Sequence, residues 1–160
     1  PAPQRASRST QDVLDRSAAA AFDALRRQAP DWLSLNPGFV SGYLVGYTAQ
    51  SSAAPERQDC EAAVHCLLAQ VMPGELAPAN GAAFLLGRHE AQCGTDRLLA
   101  LALDCAAGRT EAEAVITACD IAADRLQTHD PQRNFRFTAD ERTILRKALL
   151  DQGVVLNVVA

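Results

Sequence analysis

The chain has 160 residues, of which 48% are hydrophobic and 21% charged, and its 15 basic and 19 acidic residues leave a net charge of −4. This length suits one domain around one core, and no apolar run approaches the roughly 20 residues that a membrane-spanning helix needs. The arginines are scattered rather than clustered on one element, which argues against nucleic acid as a partner.

The amino-terminal stretch PAPQRASRST lacks a large apolar side chain. A segment that buries little apolar surface does not offset the entropy lost on ordering. Residues 1–10 are therefore predicted to form a flexible tail, and residues 11–160 the helical domain. Pro1 in first position fits the removal of either an initiator methionine or a signal peptide, so the sequence leaves both the cytoplasm and the periplasm open.

Two helices are predicted next. Apolar residues recur at helical spacing from Gln11 to Gln28, and Pro30 then ends the pattern. The second helix is predicted to begin at Pro37, because proline is favoured in a first helical turn. Its apolar residues also repeat with a helical rather than an alternating period.

The second predicted helix carries glycines at positions 38, 42 and 46, which line one of its faces. Each glycine inside a helix costs about 0.5–1 kcal/mol relative to alanine, so the row needs a compensating gain. Removal of side chains from one strip lets another helix approach closely, and we predict such a crossing here. The alternatives are a mobile segment, or a ligand-binding face on which Tyr43 and Tyr47 flank bare backbone.

A polar stretch leads to a third helix, which is predicted to start at an Asp59 cap and to run to Met72. Asn80 is predicted to cap a fourth helix. That helix should end at Cys93, with Gly94 in the left-handed conformation that closes many helices.

The second half of the chain has clear helix boundaries. Residues 96–107 are apolar nearly all round, which predicts a helix surrounded by others. Two S/T-x-x-E motifs then predict capping boxes that open the next two helices, one from Thr110 to Glu113 and one from Thr138 to Glu141.

The terminal segment VVLNVVA, residues 154–160, is short and β-branched. It is predicted to be a short strand or an apolar tail packed on the helices, and pairing with a second copy in a homodimer is the open alternative. The predicted fold class is all-α: a single-domain bundle of about seven antiparallel helices, with or without that C-terminal strand.

Four residues on the third and fourth predicted helices form the best candidate metal site. His89 and Cys93 lie four residues apart and share a helical face, and His65 and Cys66 come from the preceding helix. Imidazole and thiolate are ligands that zinc prefers, but the paired spacings of zinc-binding modules are missing. The favoured alternative is that these are core cysteines and ordinary histidines, and that no cofactor is needed.

Five cysteines leave at least one thiol unpaired. In an oxidising compartment the predicted disulfide joins Cys93 to Cys119, because Cys93 precedes the turn at Gly94 and can fold back toward the later helix. Cys105 is predicted not to pair with Cys119, since a hairpin around Gly108 would offset them by about 10 Å. In a reducing compartment all five should be free thiols.

Catalytic motifs are missing from the sequence, which has no Gly-x-Ser-x-Gly elbow, phosphate-binding glycine loop or His-Glu-x-x-His motif. Abundant alanine and the use of arginine in place of lysine are typical of a GC-rich bacterial gene. The preferred hypothesis is a non-enzymatic protein-binding module, such as an immunity protein, secretion chaperone or adaptor, that occupies a partner protein. Tyr43 and Tyr47 are its candidate contacts. The alternative is an enzyme or metal-dependent sensor that uses His65, His89 and the cysteines.

Overall fold

The computed structural model describes residues 8–53, 56–72 and 77–157. Within these ranges the protein is all-α, as predicted, and β pairing is limited to one antiparallel bridge between Leu35 and Leu156. The elements are α1 (Arg8–Gln28), a 3₁₀ turn (Trp32–Ser34), α2 (Pro37–Ser52), α3 (Arg57–Leu68), α4 (Gly81–Cys93), α5 (Leu98–Ala106), α6 (Ala112–His129), α7 (Ala139–Leu150) and α8 (Gln152–Val155).

The start of the domain differs from the sequence prediction. α1 begins at Arg8, so residues 8–10 of the predicted tail are helical. The rest of that tail, residues 1–7, lies outside the described ranges.

The C-terminal segment begins as a helical turn rather than as a strand. α8 ends at Val155, and Leu156 then forms the single bridge with Leu35. The Asn36 amide donates to the carbonyl oxygen of Val155 at 3.1 Å, so this segment is tied to the entry of α2. Residues 158–160, the last part of the predicted strand, lie outside the described ranges.

The closest helix contact lies between α2 and α4, at the glycine row. A Cβ atom on Gly46 would lie 2.2 Å from the carbonyl oxygen of Phe84, and one on Gly42 would lie 2.5 Å from the main chain that leads into α4. α4 contributes a glycine of its own, because a Cβ atom on Gly87 would lie 2.1 Å from the carbonyl oxygen of Tyr43. These distances leave no room for a side chain, and the predicted close crossing is confirmed.

One of the two predicted capping boxes forms. The Thr138 hydroxyl accepts from the Glu141 amide at 3.2 Å, and the Glu141 carboxylate accepts from the Thr138 amide at 2.9 Å. The prediction for Thr110 is wrong, because Glu111 occupies the cap position of α6 and makes no side-chain capping bond. The carboxylate that would complete the box, that of Glu113, instead pairs with an arginine of α7.

Of the predicted N-caps of α3 and α4, one is likewise wrong and one is confirmed. Asp59 lies inside the first turn of α3, whose cap position is held by Glu56, so that prediction is wrong. The predicted Asn80 cap is confirmed, since its side chain accepts from the Ala83 amide at 3.0 Å. Gly94 closes α4 in the left-handed conformation, as predicted, with φ of 64°.

α4 connects the two halves of the bundle. In the first half α2 packs against α1, α3 and α4, and in the second half α5 is contacted by α1, α4, α6, α7 and α8. The prediction that residues 96–107 form a surrounded helix is therefore confirmed. None of the described helices is both long and apolar enough to span a membrane.

Candidate functional site

The structure places the two candidate partner-binding tyrosines in different surroundings. Tyr43 is completely buried, and its hydroxyl donates a hydrogen bond to Oε2 of Glu90 at 2.6 Å. Tyr47, one turn later on α2, is half-buried and borders an open groove between α1 and α2. Tyr43 is therefore a core residue in this conformation, and Tyr47 is the one that a partner can reach.

Glu90 is the centre of a buried polar cluster that joins α1, α2, α4 and α5. Besides the Tyr43 hydroxyl, it accepts hydrogen bonds from Nε2 of Gln28 at 3.1 Å and from the Leu98 amide at 3.3 Å. The side-chain oxygen of Gln28 in turn accepts from the Ala100 amide at 3.0 Å. First-turn amides have no partner within their own helix, so side chains of α1 and α4 cap α5.

The electrostatics of this cluster raise the pKa of Glu90 above its ordinary value. Burial raises the pKa of Glu90, because its charged form loses water, and the hydrogen bonds from Tyr43 and Gln28 only partly oppose this effect. The carboxylate of Asp96 raises the pKa of Glu90 further. At 2% exposure, Glu90 is out of reach of a substrate, and the cluster serves to organise the fold.

His89 follows a different course from its neighbour Glu90: its buried ring faces the thiol of Cys93 and the main chain of Cys119. Its Nε2 lies 3.0 Å from the carbonyl oxygen of Cys119 and 3.5 Å from Sγ of Cys93, and its ring packs on Phe137 with centroids 4.7 Å apart. Burial lowers the pKa of His89, because the protonated ring is poorly solvated. The tautomer with its proton on Nε2 donates to the Cys119 carbonyl.

The structure does not bring the four candidate metal ligands together. His89 and Cys93 lie against α6 and the loop before α7, whereas His65 and Cys66 are exposed on α3. Among the described residues no group of three or more histidine, cysteine, aspartate or glutamate side chains is arranged to hold a metal ion. The metal-dependent alternative therefore has no site in this part of the chain.

The five cysteines are free thiols in the structure. Burial raises the pKa of Cys93 to about 11 and that of Cys119 to about 12, so both are poor nucleophiles at neutral pH. His89 lies against both residues, since it contacts the thiol of Cys93 and the carbonyl oxygen of Cys119. The Cys93–Cys119 disulfide stays a prediction for an oxidising compartment.

An apolar pocket opens between the 3₁₀ turn, α2 and α3. It encloses about 40 Å³ within a larger space of about 460 Å³ that includes the open mouth. The lining contains no aspartate, glutamate, lysine or arginine among the described residues. The residues that define this apolar pocket are Trp32, Leu33, Leu35, Pro37, Val40, Ser41, His65, Leu68, Ala69, Met72 and Ala77.

The apolar pocket has buried walls and an exposed lip. Trp32 and Val40 are buried, whereas the side chain of Leu33 is 67% exposed at the mouth. The polar group of the walls is Ser41, which is only 2% exposed. The pocket is therefore an apolar cavity with buried walls and one exposed leucine at its mouth.

Sequence patterns did not identify three residues that matter here. Glu90 had an available signal, because it lies four residues after Leu86 and seven after Ala83, on the inward face of α4. Ser41 lies within the most apolar part of α2 and gave no separate signal. Trp32 falls in a connection, where no periodicity predicts burial.

Comparison with known proteins gave no match: no family model, curated protein or solved structure is similar to the chain. Function is therefore inferred from the chain's own residues.

Proposed function

We propose that this chain is a protein-binding module that holds a partner through the apolar pocket and its lip. The observation that carries the proposal is Leu33, whose side chain is 67% exposed at the mouth of a cavity with buried walls. This exposed leucine leaves apolar surface in contact with water. The side chain of a partner protein would cover that surface. The proposed occupant is an apolar anchor side chain of another protein.

The chemistry of the pocket supports a neutral anchor. Burial of an unpaired charge is costly, and the described lining offers no acidic side chain, lysine or arginine to pair with one. Beyond the pocket, Val71 is 48% exposed next to the lining residue Met72. A second exposed apolar side chain thus follows directly on the lining in sequence, and the proposal assigns it to the same interface.

In this proposal the chain acts by occupying its partner, as an immunity protein, a secretion chaperone or an adaptor does. No cofactor takes part. The arginine-rich and alanine-rich composition is typical of bacterial genes, so the proposed partner is a bacterial protein. A second copy of the chain is the competing occupant.

The test compares two exposed leucines. The wild-type chain, Leu33→Asp and Leu150→Asp are immobilised and exposed to lysate of the source organism. Leu150 is the matched control, since its side chain is 72% exposed and lies in a groove at the end of α7, away from the apolar pocket. The proposal expects one protein to be retained by the wild type and by Leu150→Asp but not by Leu33→Asp.

The retained protein is then purified and titrated against the same three chains, which must rank in the same order. Equal retention by all three chains would overturn the proposal, because the pocket would then be irrelevant to binding. A wild-type chain that dimerises in solution, with Leu33→Asp monomeric, would assign the pocket to a second copy and overturn the assignment to a different protein.

A further inference from the structure

The helix α7 is held to the bundle by few apolar side chains. Two of its 12 residues are buried, Leu145 and Leu149, whereas α4, which is one residue longer, buries seven. Two large apolar side chains of α7 instead face water, since Ile144 is 50% exposed and Leu150 is 72% exposed. Because apolar burial is the dominant favourable term in folding, α7 depends on other contacts to stay in place.

Those contacts are ion pairs. Three charged side chains of α7 each pair with an opposite charge on a neighbouring helix, and the pairs are Glu141–Arg88, Arg142–Asp120 and Arg146–Glu113. Arg136, in the loop before α7, reaches Asp124 at 2.7 Å and Asp120 at 4.0 Å. Asp120 thus holds two arginines. A single exposed ion pair contributes little to stability, whereas a network of several charges contributes more.

The last turn of α7 covers a thiol of α5. Sγ of Cys105 donates a hydrogen bond to the carbonyl oxygen of Leu149 at 3.3 Å, and Cys105 is buried. Both residues border a groove between α5, α6, α7 and α8. Arg146 and Glu113 line the same groove, so their ion pair ties α7 to α6 close to the thiol.

We infer that α7 is a lid fastened by these ion pairs, which opens as a unit and uncovers Cys105 while α1 to α4 stay folded. Segments with few buried apolar contacts open locally at a lower free energy than the whole molecule. Salt screens exposed charges over a Debye length that falls from about 10 Å at 0.1 M to about 3 Å at 1 M. Ionic strength therefore sets how often the lid opens. This inference is independent of the proposed function, because it uses no residue of the apolar pocket.

The first experiment measures how often Cys105 is uncovered in the wild type. A pulse of iodoacetamide labels thiols that become accessible, and the tryptic peptide of residues 98–109 contains Cys105 and no other cysteine. Cys60, which is completely buried on α3, reports opening of the first half of the bundle. Labelling of Cys105 relative to Cys60 should rise as NaCl is raised from about 0.05 M to about 1 M. A ratio that does not change with salt would overturn the inference.

A pair of matched variants tests the fastening itself. Asp120→Asn keeps the shape of the side chain but removes the charge that holds Arg136 and Arg142. Asp23→Asn is the control, because the ion pair of Asp23 with Arg26 lies within α1 and does not involve α7.

The two variants should separate clearly. Each ion pair lost should speed the labelling of Cys105 relative to Cys60 by about 1.4-fold to about fivefold in Asp120→Asn, and its salt dependence should weaken. Asp23→Asn should match the wild type. An equal gain in Asp23→Asn, or none in Asp120→Asn, would overturn the inference. The salt titration uses the wild type alone, so it still tests the lid if Asp120→Asn does not fold.

Discussion

The carbonyl oxygen of Tyr43 lies 2.1 Å from the position that a Cβ atom on Gly87 would occupy. Gly87→Ala must therefore push α2 and α4 apart, at a cost on the order of 1–3 kcal/mol. Urea unfolding measures this loss, and thermal unfolding should shift down by roughly 2–4 °C for each kcal/mol. Gly81→Ala is the control, because open space surrounds that position, and its stability should not fall. Equal stability of the two variants would contradict the close crossing.

The two similar capping motifs should respond differently to the same change. Thr138→Ala removes a formed capping box and should cost about 0.5–2 kcal/mol. Thr110→Ala should leave the free energy of unfolding nearly unchanged, because Thr110 does not cap α6. Chemical denaturation of both variants checks this. A similar loss in the two would show that the box at Thr110 forms in solution.

These two motifs show which structural features a local sequence pattern can predict and which it cannot. Each S/T-x-x-E pattern can be recognised within four residues, but only the one at Thr138 forms a capping box. Glu113 instead pairs with Arg146 on another helix, a partner that the local pattern does not specify. The glycine row was predictable because the need for it is local: glycine in a helix is costly unless another helix approaches. Which helix approaches, α4, depended on packing over the whole chain.

The candidate site was less predictable for the same reason. The apolar pocket is built from the 3₁₀ turn, α2 and α3, and no spacing within one segment encodes a cavity between three. The four candidate metal ligands had suitable chemistry and suitable spacing on each helix. Their separation followed from the direction in which α3 and α4 pack, which periodicity does not specify.

Glu90 should make stability fall as pH rises. Its pKa is raised in the folded state, so above the ordinary glutamate value of about 4.3 the folded chain binds the proton more tightly than the unfolded chain. Glu90→Gln stays neutral and should gain stability relative to the wild type from pH 4 to pH 8. Denaturation at both pH values measures the gain, and the exposed Glu111→Gln should show none. If the stability of Glu90→Gln relative to the wild type does not change with pH, the Glu90 carboxyl is ionised without penalty and the prediction is wrong.

His89 should produce the opposite dependence in acid. Its pKa is lowered by burial, so below the ordinary value of about 6.5 the unfolded chain takes up a proton that the folded chain resists. Stability should therefore fall as pH drops from 6.5 toward the folded pKa of His89. His89→Gln should lose this part of the fall, whereas the exposed His129→Gln should keep it. The test is to measure the free energy of unfolding of the wild type, His89→Gln and His129→Gln at pH 7 and at pH 5.

The thiols should react in the order of their exposure. Cys66 is exposed, and Cys60 and Cys119 are buried, so a thiol reagent at pH 7 should modify Cys66 first. Cys66→Ser should remove that fast phase and leave the slower reactions of the half-buried Cys93 and of the three buried cysteines. A fast phase that persists in Cys66→Ser would place another cysteine at the surface. Peptide mapping without reductant tests the Cys93–Cys119 disulfide in protein from its own compartment.

The capping of α5 by Gln28 and Glu90 couples the opening of its first turn to its contacts with α1 and α4. Helix ends usually fray on their own, and their amides exchange with solvent long before the molecule unfolds. The amides of Leu98 and Ala100 are held by side chains that belong to α1 and α4, so opening the first turn of α5 also breaks its hydrogen bonds to those two helices. Hydrogen exchange at these two amides should therefore report the contacts of α5 with α1 and α4 as well as the fraying of α5 itself.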